Sequence, residues 1–158
     1  MNPSKINPQN FFQFETDFIE SLRCIPMVVR MKLDTCGVKL KLTHWYQFSQ
    51  EQRRDLVNMP CSSEEEVANY KAFLQNLVHQ KTGSFAKELS ISPHPPWLDS
   101  LNIPEVVQQK AAVCDLTISQ QQWSSFTPLQ RFALIKLSRP SHENQNFVPA
   151  LKEFIGLI

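Results

Sequence analysis

Cysteine and histidine are the side chains of this 158-residue chain that could bind a metal or act as a nucleophile and its base. The chain has four of each: Cys24, Cys36, Cys61 and Cys114, and His44, His79, His94 and His142. Metal sites usually draw on ligands a few residues apart, whereas these cysteines are separated by 12, 25 and 53 positions. A nucleophilic pair such as Cys24 with His44 would have to be assembled by the fold alone. The spacing therefore predicts no catalytic residues and no metal site.

Composition argues against several other kinds of site. The three glycines lie far apart, so the chain lacks the glycine-rich loops that bind phosphates and nucleotides. A formal net charge of +1 argues against a large phosphate-contacting surface for nucleic acid. No apolar run is long enough to span a membrane, and cysteines without close pairing are typical of a reducing compartment. We expect a cytoplasmic protein with no cofactor and no nucleic-acid or membrane partner.

A gapless internal repeat is the most informative feature of the chain. Residues 25–57 return as residues 103–135, a shift of 78 positions, with eleven identities among 33 aligned positions. The identical pairs include Trp45/Trp123, Phe48/Phe126, Arg53/Arg131, Lys32/Lys110 and Cys36/Cys114. A spacing that survives without insertion indicates two copies of one supersecondary unit. We expect the aromatic pairs to be core anchors, and the arginines to form structural ion pairs or to cap neighbouring carbonyls.

Helical signals recur along the chain. Apolar residues fall at helical spacing from Phe14 through Phe18 to Leu22, which predicts a first helix. Capping signatures begin later helices, and glycines or prolines fit their ends. The signatures include Ser49-x-x-Gln52, Ser62 or Ser63 before Glu64-Glu65-Glu66, and Thr127-Pro128-x-Gln130.

These signals predict an all-α fold of two tandem pseudo-symmetric units, with about seven helices, packed into one domain over residues 11–158. We expect repeat units at residues 14–82 and 97–158, a proline-rich linker at 83–96, and a flexible arm at 1–10. The segment Val38 to Leu42 alternates with period two, as a strand would. Since no other segment offers a convincing sheet partner, we interpret it as an extended connection.

The charge of the two copies differs. From Ser21 to Trp45 the first copy carries five basic residues and one acid, whereas residues 102–123 carry one base and two acids. A run of charge is more often a solvated face than a binding site. The alternative is that the first copy presents a basic docking surface that steers an acidic protein partner. The residues of this predicted surface are Arg23, Arg30, Lys32, Asp34, Lys39 and Lys41.

A distinctive motif runs through the first copy. It reads Phe14-Glu15-x-Asp17-Phe18-x-x-x-Leu22-Arg23-Cys24-Ile25-Pro26-Met27-x-Val29-Arg30-x-Lys32-Leu33-Asp34-x-Cys36-Gly37-Val38-Lys39-Leu40-x-Leu42-x-x-Trp45, followed by Phe48-Ser49-x-x-x-Arg53 and Pro60-Cys61. The motif resembles the nitrate-reductase-associated protein family of cyanobacteria and some plastid-bearing lineages. The resemblance covers most of the chain and implies a small soluble accessory protein that helps to produce or maintain active nitrate reductase, a molybdenum and iron–sulfur enzyme. It implies no catalytic residues.

The leading hypothesis is a non-enzymatic helical adaptor that binds the nitrate reductase polypeptide or its maturation factors through the basic surface. We expect charge reversal at Arg30 and Lys32 to abolish partner capture while leaving helicity and melting unchanged. The alternative is a metal or molybdopterin carrier that uses Cys24 and Cys61, with Cys36 as a further ligand. A hydrolase or thiol enzyme is the weakest hypothesis, because no group of residues close in sequence supports it.

Overall fold

Helices make up most of the structure, a computed structural model that describes residues 11–15, 22–139 and 144–156. Within those residues the chain forms eight α-helices, three short 3-10 helices and one two-stranded sheet. The prediction of a helical fold is confirmed, with one helix more than expected and a small sheet in addition. The chain divides into two compact units, Met1–Ile91 and Ser92–Ile158. None of the described helices combines the length and apolar character needed to cross a membrane.

The first unit is built around its longest helix. Its elements are α1 (Met27–Cys36), β1 (Val38–Lys39), α2 (Leu42–Gln47), α3 (Gln50–Asn58), α4 (Glu64–Thr82) and β2 (Lys87–Glu88), after a 3-10 turn over Gln13–Glu15. Helix α4 packs on α1 and α2. It buries Tyr70, Leu74 and Val78, and Trp45 from α2 is also fully buried. This apolar core holds α1, α2 and the sheet in place.

The second unit is built around a different helix. Its elements are a 3-10 turn over Pro96–Leu98, α5 (Glu105–Val113), α6 (Gln120–Ser125), α7 (Pro128–Ser138), a 3-10 turn over Asn144–Asn146, and α8 (Phe147–Phe154). Helix α7 contacts both 3-10 turns, α5 and α8. Nearly all of its residues from Arg131 onward are buried. Because α7 lies at the centre of its unit, it is apolar on almost every side.

Local sequence decides where several helices begin. Ser49, Ser63, Ser119 and Thr127 each accept a hydrogen bond from the backbone N–H three residues later. The glutamine or glutamate at that later position accepts one from the N–H of the capping residue in return. The capping boxes predicted at Ser49 and Thr127 are confirmed, and of the two serines before α4 it is Ser63 that caps. Such a cap contributes about 1 kcal/mol to stability.

Helix boundaries in the two units correspond in part. Helices α2 and α6 begin and end at positions 78 residues apart, and α3 and α7 begin 78 residues apart. Gly37 ends α1 with a φ of 76°, and Asp115, at the same repeat position, has a φ of 59°. The units then diverge: α7 is longer than α3, and α4 spans 19 residues whereas α8 spans eight. Symmetry of the two units as wholes stays a prediction.

The interpretation of Val38 to Leu42 as an unpaired connection was wrong in its first half. Val38 and Lys39 form β1, which pairs antiparallel with β2 at Glu88 and Lys87. Sequence reasoning placed β2 inside the linker, where a two-residue strand 48 positions from its partner carries no recognisable signal. The second half of the segment begins α2 at Leu42.

Two other predictions fall wholly or partly outside the described residues. These are the arm over residues 1–10 and the middle of the first helix, residues 16–21. At its described ends, Phe14 lies in a 3-10 turn and Leu22 is a fully buried residue with a φ of 51° rather than a helical one.

Candidate functional site

The recurring Trp45 and Arg53 hold the backbone of the first unit together. Trp45 donates its indole N–H to the carbonyl of Leu22 at 2.6 Å. Arg53 donates to the carbonyls of Trp45 and Tyr46, both at 3.1 Å, and to that of Leu22 at 3.4 Å. These two side chains therefore tie Leu22, which precedes α1, to the last turn of α2. They are scaffold residues that position the chain on either side of the predicted basic surface.

Trp123 and Arg131 likewise donate hydrogen bonds to backbone carbonyls in the second unit. Trp123 donates to the carbonyl of Asp99 at 2.8 Å. Arg131 is buried and donates to the carbonyls of Trp123 at 3.2 Å, Phe126 at 2.7 Å and Trp97 at 2.9 Å. In both units the tryptophan lies edge-on to the phenylalanine three residues later, with ring centroids 6.2 Å apart. The prediction of core aromatics and carbonyl-capping arginines is confirmed.

Lys32 belongs to the interior rather than to the surface where we predicted it. Its ammonium donates to the carbonyls of Val57 and Met59, both at 2.6 Å, and lies 5.7 Å from the ring centroid of Tyr70. Burial lowers its pKa to about 8, and the nearby Cys61 only partly offsets this. Since Lys32 caps the last carbonyls of α3, reversing its charge is no longer expected to leave melting unchanged.

Arg30 and Asp34 are half-buried on α1. Arg30 donates its Nε–H to the carbonyl of Ile25 at 2.9 Å, one turn back along the chain. Both side chains make further interactions within the protein. Like Lys32, Arg30 therefore contributes to the first unit's own structure.

The remaining three basic residues of the predicted surface are exposed. Arg23, Lys39 and Lys41 lie before α1, on β1 and at the start of α2, and among the described residues their charged groups have no hydrogen-bond or ion-pair partner. The charge of Lys41 contributes to lowering the pKa of His44, after desolvation. Their repeat counterparts in the second unit are Leu101, Thr117 and Ser119. Exposed positive charge at these three repeat positions is therefore specific to the first unit.

The cysteines differ strongly in exposure. Cys24 is exposed, Cys114 is half-buried, and Cys36 and Cys61 are buried. Desolvation raises the pKa of Cys36 to about 12 and also raises the pKa of Cys61. Both buried thiols are therefore protonated at neutral pH, which disfavours them as metal ligands or nucleophiles. Across the part of the chain that the structure describes, no group of three or more His, Cys, Asp or Glu side chains is arranged to hold a metal ion.

The three histidines among the described residues do not converge on one site either. His44 accepts a hydrogen bond at Nδ1 from the backbone N–H of Lys41 at 3.2 Å, so its neutral form caps the start of α2. His79 stacks on Phe85 with ring centroids 4.6 Å apart, and His94 is exposed on the segment before the first 3-10 turn of the second unit. His142 lies outside the described residues.

Two residues with a defined role were missed from the sequence. Glu15 is buried, and its carboxylate accepts hydrogen bonds from the N–H of Met27 at 2.9 Å and of Phe12 at 3.1 Å. It thereby caps α1, whose own N-cap residue, Pro26, provides no side-chain bond. Lys87 lies directly across the sheet from Lys39 and is exposed. Both contacts join residues far apart in sequence, so local pattern carries no signal for them.

Comparison with known proteins gives one result. The profile described as conserved nitrate reductase-associated protein matches residues 11–154. No curated protein and no solved structure matches the chain significantly. The match covers nearly the whole chain, including α1, both strands and both sets of recurring tryptophan and arginine. The chain therefore belongs to the conserved nitrate reductase-associated protein family.

Proposed function

We propose that this protein is a non-enzymatic accessory protein of the cytoplasm. It binds assimilatory nitrate reductase, or the factors that mature it, and supports production or activity of the active molybdenum enzyme. The family description names an association with nitrate reductase. Direct binding through the first unit is the step that we add to it.

The observation that carries the proposal is the exposed charge of the first unit. Arg23, Lys39 and Lys41 have no partner among the described residues, although other charged side chains of the same unit are engaged in capping or ion pairing. Exposed cations raise the rate of association with an acidic protein surface and orient that surface on binding. The second unit has apolar or hydroxyl residues at the repeat positions of these three cations.

The side chains considered for chemistry support a role without catalysis. His44 is used in a helix cap, Cys36 and Cys61 have raised pKa values, and Trp45 and Arg53 hold backbone carbonyls. The alternative of a metal or molybdopterin carrier using Cys24 and Cys61 gains no support. Cys24 is exposed, whereas Cys61 is buried with its sulfur 3.9 Å from the carbonyl of Lys32. We therefore propose no second function.

Capture of nitrate reductase by the immobilised protein tests the proposal. Nitrate reductase from the same organism is passed over wild type and over the double variant Arg23→Glu with Lys41→Glu at about 0.05 M and about 0.3 M salt. Each exposed pair contributes up to about 1 kcal/mol, so losing two pairs should weaken binding by up to about thirtyfold. Raising the salt should also weaken wild-type binding, because the Debye length falls below about 10 Å above 0.1 M and the charges are then screened.

A matched control separates this surface from charge in general. The variant Lys81→Glu with Arg139→Glu makes the same charge change at two exposed positions that are not part of the predicted surface, and it should bind like wild type. Equal loss in the control would mean that only net charge matters. Absence of capture by wild type, from cell extract and with purified enzyme alike, would refute direct binding.

Activity in cells distinguishes a supporting role from binding alone. Cells without this gene should show lower nitrate reductase activity at an unchanged amount of transcript. The wild-type gene should restore the activity, whereas Arg23→Glu with Lys41→Glu should not. Full activity without the gene under nitrate-dependent growth would contradict the accessory role.

A further inference from the structure

The small sheet brings two lysines together on one face. Strand register places Lys39 directly opposite Lys87, and Val38 opposite Glu88. Since side chains alternate along a strand, the two lysines share one face and the other two residues share the opposite face. Val38 is buried, and Glu88 forms an ion pair with Lys71 of α4. The face with Val38 and Glu88 is therefore turned toward α4, and the lysine face is turned to solvent.

A directly opposed pair of like charges is an unfavourable arrangement for a sheet. Side chains opposite each other in an antiparallel pair have Cβ atoms about 4.5–5.5 Å apart, and like charges there destabilise the pairing. Lys39 and Lys87 are both exposed, and within the described residues no carboxylate pairs with either of them. The acid nearest in sequence, Glu88, is held on the other face by Lys71. An anion bound between the two ammonium groups would relieve the repulsion.

Apolar side chains continue from this pair along the same segment. Leu89 donates its N–H to the carbonyl of Gly37 at 2.8 Å, which extends the pairing by one residue. The side chain of Ile91 lies close against Gly37, with Cγ1 2.8 Å from where a Cβ would stand. Nevertheless Leu89 is 39% exposed and Ile91 is 55% exposed. The segment therefore offers apolar surface beside two unneutralised cations.

We infer that Lys39 and Lys87 form a clamp for an acidic segment of a protein partner that also carries an apolar side chain. The partner's carboxylates bind between the two ammonium groups, and its apolar residue packs on Leu89 and Ile91. This inference rests on the proposed function and specifies it, since it adds Lys87 and the chemistry of the partner. Charge complementarity selects an acidic partner, and the apolar strip selects a peptide over a simple anion.

Peptide binding to the full-length protein tests the clamp without nitrate reductase. The probes are fluorescein-labelled ten-residue peptides: one alternates glutamate and leucine, one has serine in place of leucine, and one has lysine in place of glutamate. We expect the glutamate–leucine peptide to bind, the serine peptide to bind more weakly, and the lysine peptide not to bind. Equal binding of the first two peptides would overturn the apolar half of the inference. Inorganic phosphate that competes at millimolar concentration would indicate an anion site instead and would also overturn it.

The variants Lys87→Glu and Lys39→Glu with Lys87→Glu identify the residues. We expect each to weaken binding of the glutamate–leucine peptide by about tenfold or more, and Lys81→Glu to leave it unchanged. The single variant Lys87→Glu should also show a second measurable effect. It replaces a repulsive cross-strand pair with an attractive one, so its melting temperature should stay the same or rise while binding is lost. Wild-type affinity in the double variant, or no binding of any peptide by wild type at low salt, would overturn the clamp.

Failure of the clamp and failure of the proposed function give different results. Nitrate reductase captured normally by Lys39→Glu with Lys87→Glu, but lost by Arg23→Glu with Lys41→Glu, would refute the clamp and leave direct binding standing. Peptide binding that depends on the two lysines, with no capture of nitrate reductase by wild type, would support an acidic partner and refute nitrate reductase as that partner.

Discussion

The two recurring arginines offer a comparison in which one substitution is made at equivalent positions of the repeat. Arg131 is 6% exposed and donates four hydrogen bonds to carbonyl oxygens, the two shortest at 2.7 and 2.9 Å. Arg53 is half-buried, and its hydrogen bonds to carbonyls of the described residues are longer, at 3.1, 3.1 and 3.4 Å. We therefore expect replacement by methionine, which keeps much of the apolar stem and removes the donors, to cost more stability at Arg131 than at Arg53.

The magnitude follows from the bonds and their burial. A hydrogen bond to a charged group contributes about 1.5–3 kcal/mol net, and more of that is lost where water cannot replace the donor. Two short bonds, one buried and one partly buried, put the cost of Arg131→Met at about 3–5 kcal/mol. At Arg53 the bonds are longer and are exposed or only partly buried, so Arg53→Met should cost about 1–2 kcal/mol.

Equilibrium unfolding in urea measures both values. Tryptophan fluorescence reports the first unit through Trp45 and the second through Trp97 and Trp123, so two transitions, if resolved, can be assigned. The controls Arg54→Met and Arg139→Met remove an arginine from each unit that donates to no carbonyl within the described residues, and should change stability by less than about 0.5 kcal/mol. A cost at Arg131 equal to or below that at Arg53 would refute the reasoning from burial and bond length.

Two further predictions concern the first unit. Gly37→Ala should destabilise the protein by about 2–3 kcal/mol, because φ is positive and the new Cβ would lie 2.8 Å from the carbonyl oxygen of Leu89. Gly83→Ala, at a residue with a positive φ but open space around it, should cost about 1 kcal/mol. Equal losses of stability in thermal melts of the two variants would contradict the close approach at Gly37. Lys32 has its pKa lowered from 10.5 to about 8, so between those pH values the unfolded chain binds more protons and stability due to this group should rise with pH. Cys36, whose pKa is raised to about 12, acts in the opposite direction above pH 9, so the test is the difference in unfolding free energy between wild type and Lys32→Met. A difference that is flat from pH 7 to 10 would show that Lys32 is not desolvated.

Sequence alone was sufficient for several structural choices that are local. The capping boxes at Ser49 and Thr127 and the helix ends at Gly37 and Gly83 involve groups within three or four residues of each other, so their spacing is visible in the sequence. The repeat added one inference, that Arg53 and Arg131 would form structural ion pairs or cap carbonyls, and the second alternative is the one observed. It succeeded because two copies of a residue in the same setting restrict what that residue can be doing.

Only the tertiary structure decided which charges remain available. Lys32, Lys39 and Lys41 look alike in sequence, yet Lys32 caps α3 while the other two face solvent. The difference depends on α3 ending beside α1, a contact between residues 25 or more positions apart. Lys87 joined the site only because β2 pairs with β1, and two-residue strands are too short for periodicity to reveal. Sequence determined the helical scaffold and its asymmetry of charge, because both follow from local spacing and composition. Folding determined which charged side chains are exposed for binding, because burial and cross-strand pairing depend on residues that are distant in sequence.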